Sequence, residues 1–210
     1  MTRRCVFLDR DGVINRDTGY VSKWQDFEFM PGALDAMKRI HVAGFDLVIV
    51  TNQSGIARGY YTVRDFQRLT DEMLASIEAG GARVLAVYFC PHLPQGTIAP
   101  FAMECDCRKP APGLILRAAA DHGIDLPKSI MLGDKMSDME AATAAGVGSR
   151  YLISSNLQAA SGPAGSGHDG IFASLADFAN TQDQLRVSNL APSTISDMFK
   201  NLRDRNTAFD

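Results

Sequence analysis

Two carboxylates one residue apart, Asp9 and Asp11, end the apolar run Cys5-Val6-Phe7-Leu8 and are followed by Gly12. Carboxylates this close repel each other unless a cation or a shared proton offsets them, and their hard oxygens suit Mg2+. Alone, Asp-x-Asp-Gly is as readily a solvated acidic turn. Three later stretches shift that balance. Val48-Ile49-Val50 runs into Thr51-Asn52-Gln53-Ser54-Gly55, whose small hydroxyl and amide donors suit phosphate oxygens. Arg108-Lys109-Pro110 supplies cations. Ile130-Met131-Leu132 runs into Gly133-Asp134-Lys135-Met136-Ser137-Asp138, a third strand ending in carboxylates that could complete a Mg2+ site.

A second constellation is Cys90-Pro91-His92 with Cys105-Asp106-Cys107. Three thiolates and an imidazole in two short pairs match a closed, structural Zn2+ site with no position left for catalysis. The loop between the pairs is rich in Pro and Gly and would be entropically loose, so Zn2+ would fix it and thereby position Arg108 and Lys109, which follow the last ligand directly.

Strand-Asp-x-Asp, strand-Thr, Lys and strand-Gly-Asp, in this order, are the motifs of haloacid-dehalogenase-like phosphatases, and the sequence resembles that superfamily. Asp9-Arg10-Asp11-Gly12-Val13-Ile14-Asn15, Gly19-Tyr20-Val21, the stretch from Thr51 to Gly59, and the two Cys-containing segments narrow the resemblance to the D-glycero-D-manno-heptose 1,7-bisphosphate 7-phosphatase family, over Cys5 to Ile153. The zinc-containing histidinol-phosphatases share the nucleophile loop and a similar Cys/His loop and are the alternative. Gly19-Tyr20-Val21 and the long Asn52-to-Gly59 match favour the heptose family.

The resemblance implies an Mg2+-dependent reaction through an aspartyl-phosphate, in the synthesis of ADP- or GDP-heptose precursors. It makes Asp9 the nucleophile and Asp11 first acid, then base, with Asp11 also giving its backbone carbonyl to Mg2+. Asp134 completes that metal site, Thr51 and Asn52 hold phosphoryl oxygens beside Gln53 and Ser54, and Lys109 offsets negative charge. Asp138 orients Lys109 or a metal-bound water. Asp17, Thr18, Gly19 and Tyr20 stand beside the substrate. A second phosphate needs its own cationic pocket, for which Arg108 offers a planar fork, with Lys135 assisting. Arg58 is either a contact or a solvated charge. A non-catalytic, zinc-stapled interaction module is the reading from another class, and the intact Asp9, Asp11, Thr51, Lys109 and Asp134 argue against it.

These residues need an α/β frame: a Rossmann-like open, mainly parallel sheet with helices on both faces, no large cap domain and a zinc-bound loop. The run at Cys5 is apolar at every position, as in a central strand covered on both sides. Periodicity and punctuation predict further strands over 45–50, 84–89, 129–132 and, as the last, 147–153, and helices from Pro31-Gly32 to Gly44, over 62–79 and 113–122, and from Asp138 to Ala145. Residues 16–30 read as an ordered loop over the site. Beyond Ser154, residues 161–167 read as a flexible loop, 174–180 as a short surface helix and 193–203 as another. The phosphatase domain is expected over 1–180, with a C-terminal tail over 181–210.

The 210 residues, 46% hydrophobic and 21% charged, suit one globular domain, and a net charge of -3 leaves no electrostatic footprint for nucleic acid. Asp9 interrupts the apolar run too early for a signal peptide, and no stretch approaches the roughly 20 apolar residues of a membrane span. A cytoplasmic protein without disulfides is therefore expected, acting on a small sugar bisphosphate. It should be a monomer, or a dimer through its tail.

Overall fold

The computed structural model describes residues 2–155 and 167–187. Six strands, β1 (Cys5–Leu8), β2 (Asp46–Asn52), β3 (Val84–Cys90), β4 (Ile130–Gly133), β5 (Ser149–Ile153) and β6 (Gly170–Phe172), form one sheet in the order β3-β2-β1-β4-β5-β6. Every pairing is parallel. β1 is interior, and all four of its residues are buried.

The apolar runs divide between two cores because successive side chains alternate across a strand. Val6, Leu8, Leu47, Ile49 and Leu132 face one core, packed under α1 (Ala33–Val42) and α2 (Val63–Ala79). Phe7, Val48, Val50 and Met131 face the other, under α3 (Gly113–His122) and α4 (Met136–Ala145). Thr62 caps α2 as a capping box: its hydroxyl accepts from the Asp65 backbone N–H (3.1 Å), and the Asp65 carboxylate accepts from the Thr62 N–H (2.9 Å). Gly123 closes α3 and Gly146 closes α4 in left-handed conformations.

Three boundaries differ from the pattern-based expectation in ways that matter. β2 continues through Thr51 and Asn52, so these two residues are held by strand pairing to Phe89 and Cys90 rather than by a free loop. α4 begins at Met136, because the Asp138 carboxylate accepts from the Lys135 backbone N–H (3.0 Å) and organises the first turn. The strand at 149–153 is not the last. β6 adds to it, and the segment expected to be a short surface helix is α5 (Leu175–Val187), whose Leu175, Phe178 and Ala179 are buried in the first core. Phe178 packs edge-on against Phe172, and both rings meet Tyr151. The expected helix at 193–203 lies outside the described residues, as does nearly all of the loop at 161–167. No helix among the described residues is long and apolar enough to cross a membrane.

Candidate active site

At the carboxyl ends of β1, β2 and β4 the chain leaves the sheet and encloses a cavity of about 620 Å³. Asp9 follows β1, its backbone N–H held by the Leu132 carbonyl (3.0 Å), and is 5% exposed. Lys109, from the end of the Cys/His loop, reaches it. Its Nζ lies 2.8 Å from Asp9 Oδ1, 2.6 Å from Asp138 Oδ1 and 2.8 Å from the Val50 carbonyl. Burial works against the Lys109 charge, but Asp9 and Asp138 outweigh it and hold its pKa above the ordinary lysine value.

Asp134 completes a trio with Asp9 and Asp138, one oxygen of each lying within 4.8 Å of the others. Burial, followed by the charge of Asp9 and that of Asp138, pushes Asp134 up to about 7 although Lys135 opposes the shift. Asp9 is also raised, first by burial and then by Asp138, against the pull of Lys109. Asp9 and Asp138 share the one buried ammonium of Lys109, and Asp134 Oδ1 is buried without a hydrogen-bond partner. Gly12, at φ +90°, leaves the room that the Asp134 carboxylate fills, because a Cβ there would overlap it. A hard divalent cation fits this donor set in chemistry and charge.

Asp11 stands apart from the trio. Its carboxylate accepts from Arg10 Nε (3.1 Å) and Nη2 (2.9 Å to each oxygen), from Asn15 Nδ2 (3.1 Å) and from Gln53 Nε2 (3.0 Å). Arg10 is 1% exposed, also donates to the Val21 carbonyl (3.0 Å), and lies over the Phe66 ring. Motif reading passed over Arg10 and Asn15. An arginine between two aspartates signals a charge partner, but sequence spacing does not say which carboxylate it takes.

The other expected site residues divide by geometry. Asp17, Gly19 and Tyr20 line the cavity, whereas the exposed Thr18 does not. Thr51 and Ser54 line it too. The Asn52 amide is committed to the backbone of Lys109, donating to its carbonyl (3.0 Å) and accepting from its N–H (3.1 Å). It thereby fastens the lysine to β2. Gln53 also lines the cavity, and its buried amide is engaged by Asp11, Thr51 and Tyr61. Arg108 lines the cavity and donates to the His92 carbonyl (3.3 Å), while Lys135 pairs with Asp17 (3.3 Å) and Asp134 (3.4 Å). The exposed Arg58 lies outside the cavity with its guanidinium over the Tyr20 ring.

Next to Arg108 the four zinc-type donors converge. Cys90 Sγ lies 3.6 Å from Cys105 Sγ and 3.7 Å from His92 Nδ1, Cys107 Sγ lies 3.4 Å from Cys105 Sγ, and His92 Nδ1 lies 3.3 Å from Cys107 Sγ. These separations exceed the roughly 2.05 Å of a disulfide. They are close to the roughly 3.5–3.8 Å edges of a tetrahedron with metal–sulfur bonds of about 2.3 Å, so the cluster is compatible with zinc. Gly113 allows the loop to close on α3: its N–H donates to the Asp106 carbonyl (2.9 Å), against which a Cβ would collide.

Residues 106–177 match a family model described as HAD-hydrolase-like. The chain is 49% identical over 148 residues to the D-glycero-beta-D-manno-heptose-1,7-bisphosphate 7-phosphatase of Escherichia coli K12, covering 70% of this chain and 78% of that one. It is 41% identical over 150 residues to the D-glycero-alpha-D-manno-heptose-1,7-bisphosphate 7-phosphatase of Photorhabdus laumondii, covering 71% and 82%. Among solved structures, D,D-heptose 1,7-bisphosphate phosphatase from B. bronchiseptica, complexed with magnesium and phosphate, superimposes with a TM-score of 0.74 at 31% identity, covering 86% of this chain and 98% of that one. With a paired Asp9–Lys109 centre at the strand ends, a separately clamped Asp11 and relatives of this identity and coverage, the chain belongs to the D-glycero-D-manno-heptose 1,7-bisphosphate 7-phosphatase family of haloacid-dehalogenase-like hydrolases.

Proposed function

We propose that this protein removes the 7-phosphate of D-glycero-D-manno-heptose 1,7-bisphosphate through an aspartyl-phosphate on Asp9, in the supply of nucleotide-heptose precursors. The observation that carries the reading is the division of labour between the two aspartates: Asp9 is paired with Lys109 and belongs to the metal-type trio, whereas Asp11 faces the same cavity from a separate cradle. The higher identity to the relatives named for the beta anomer supports that anomer as substrate.

Asp9 attacks phosphorus, and the bond to the sugar oxygen breaks. Lys109, held at the phosphoryl end by Asp138 and the Asn52 amide, offsets the charge of Asp9 and of the phosphoryl oxygens. Thr51 donates to a phosphoryl oxygen. Asp11 gives a proton to the departing sugar oxygen and then takes one from the water that opens the aspartyl-phosphate, so the same carboxyl serves both half-reactions. Asp9, Asp134 and the Asp11 backbone carbonyl would hold Mg2+, which when bound draws nucleophile and phosphate dianion together by screening their charges. Cys90, His92, Cys105 and Cys107 would hold Zn2+ as a structural ion, and through the His92 carbonyl that loop sets Arg108 beside the second phosphate.

Phosphate release with Mg2+ should be measured on both heptose bisphosphate anomers and on histidinol phosphate. The beta anomer should turn over with the highest kcat/KM, and Asp9→Asn should bind it without turnover, because the near-isosteric amide cannot form the acyl-phosphate. Preference for histidinol phosphate, or near-normal turnover by Asp9→Asn, would contradict the reading.

A further inference from the structure

Gln53 lies two residues beyond Thr51 and is 2% exposed. Tyr61 Oη donates to its Oε1 (2.6 Å), and its Nε2 donates both to Asp11 Oδ2 (3.0 Å) and to Thr51 Oγ1 (2.9 Å). Rotating this amide by half a turn would set Oε1 against the Asp11 carboxylate, acceptor against acceptor, so a single orientation is selected. Tyr61 secures that orientation from behind. Its ring occupies the space that a side chain on Gly55 would take, and burial pushes its hydroxyl up to about 12, so it remains a donor. Because Thr51 Oγ1 accepts from Gln53, the Thr51 proton is left to donate into the cavity. On the other side Arg10 grips Asp11, so the carboxylate is held between a guanidinium and an amide.

We propose that Gln53 is a positioning residue: its amide, oriented by Tyr61, holds Asp11 in place for proton transfer and turns the Thr51 hydroxyl proton toward the transferring phosphoryl group. This rests on the roles of Asp11 and Thr51 in the phosphatase reading. It departs from the expectation that Gln53 contacts substrate directly. One amide thereby couples the group that moves the proton to a group that holds the phosphate, although the two leave different strands.

The test compares Gln53→Leu, Tyr61→Phe and the double variant with wild type, using heptose bisphosphate and p-nitrophenyl phosphate, whose leaving group needs no proton. Gln53→Leu should lower kcat for the sugar phosphate about a hundredfold while KM stays within about twofold, with a smaller loss of phosphoenzyme formation for the nitrophenyl ester. Tyr61→Phe should lose less, and nothing further in the Gln53→Leu background, because both act through the same amide. A rise in KM at unchanged kcat would make Gln53 a direct substrate contact, and equal losses on both esters with additive variants would make it a packing residue. Either result overturns the proposal. A readout independent of turnover is the pair of Gln53 side-chain amide protons in the NMR spectrum: Asp11→Asn should shift one and Thr51→Val the other. Fast-exchanging protons that respond to neither variant would overturn the proposal even if every variant were poorly active. A wild type that hydrolyses neither ester would sink the phosphatase reading and this inference with it, whereas an active wild type with an unaffected Gln53→Leu variant would sink the inference alone.

Discussion

Neighbouring side chains in this cavity differ in burial and in charge partners. Lys109 is buried against Asp9 and Asp138, while Arg108, one residue earlier, is only partly buried and opens on the cavity. In the proposed function the buried Lys109 serves the reacting phosphoryl group, which leaves Arg108 for a second anion. Arg108→Ala should therefore remove a charge-assisted contact of about 1.5–3 kcal/mol and lower kcat/KM for a bisphosphate roughly ten- to hundredfold, with a much smaller effect on a sugar monophosphate. Equal losses on both substrates would assign Arg108 to the phosphoryl group or to the loop. Arg10 shows where residue-level reading stops. Its charge is visible between Asp9 and Asp11, but its choice of Asp11 depends on the seat of its guanidinium over the Phe66 ring and on the Val21 carbonyl, which only the folded chain supplies.

At the scale of elements, one loop adjoins the site and one helix completes the core. The Cys/His loop has no regular secondary structure beyond one short helical turn at Ala99–Phe101, so four ligands closing on one ion would supply the order that a strand or helix provides elsewhere. Metal analysis of the purified protein should find about one tightly held zinc per chain by four-ligand closure. Stripping weakly held Mg2+ should abolish activity reversibly and leave the zinc in place. A zinc-free protein of full stability and activity would contradict the assignment. The second element is α5, which covers the sheet face near α1: Arg39 Nη1 donates to Asn180 Oδ1 (2.8 Å), and Phe178 is fully buried. Phe178→Ala should cost about 3–5 kcal/mol, read from the denaturant midpoint. An effect below about 1 kcal/mol would return α5 to the surface role expected from its short apolar pattern. Its signal was present: Ser174 and Asp177 form a reciprocal cap, and Leu175, Phe178 and Ala179 share one helical face.

At the scale of the whole molecule, the charge of the site couples metal binding, protonation and stability. Asp134 sits near 7 when folded and at the ordinary carboxylate value when unfolded. Between those values the folded state binds more protons, so this group makes the metal-free protein less stable as pH rises toward 7. In the proposed site Mg2+ would need the carboxylate and would reverse that preference. The rise in Tm on adding saturating Mg2+ should therefore grow from pH 5.5 to pH 8, and binding near neutrality should release a proton detectable by calorimetry in buffers of different ionisation enthalpy. A Tm shift independent of pH would place the cation away from Asp134.

By itself the sequence determined which short segments could do chemistry. Asp9-x-Asp11, Thr51, Lys109 and Asp134, with the two Cys/His pairs, announce themselves because each lies within a few residues of an apolar run or a tight turn, and such spacing survives without a fold. The parallel sheet was legible for the same reason, since strands buried on both faces must be apolar at every position. Only the tertiary structure decided which partner each group takes. Asp138 reaches Lys109, the Asn52 amide binds the Lys109 backbone, the Gln53 amide turns toward Asp11, and α5 closes over the sheet. The physical reason is that these choices depend on burial and hydrogen-bond satisfaction between segments far apart in the chain, 42 residues for Gln53 with Asp11 and 141 for Arg39 with Asn180. Residue order specifies which donors and acceptors exist, and their competition in a shared, water-excluded space selects the pairs.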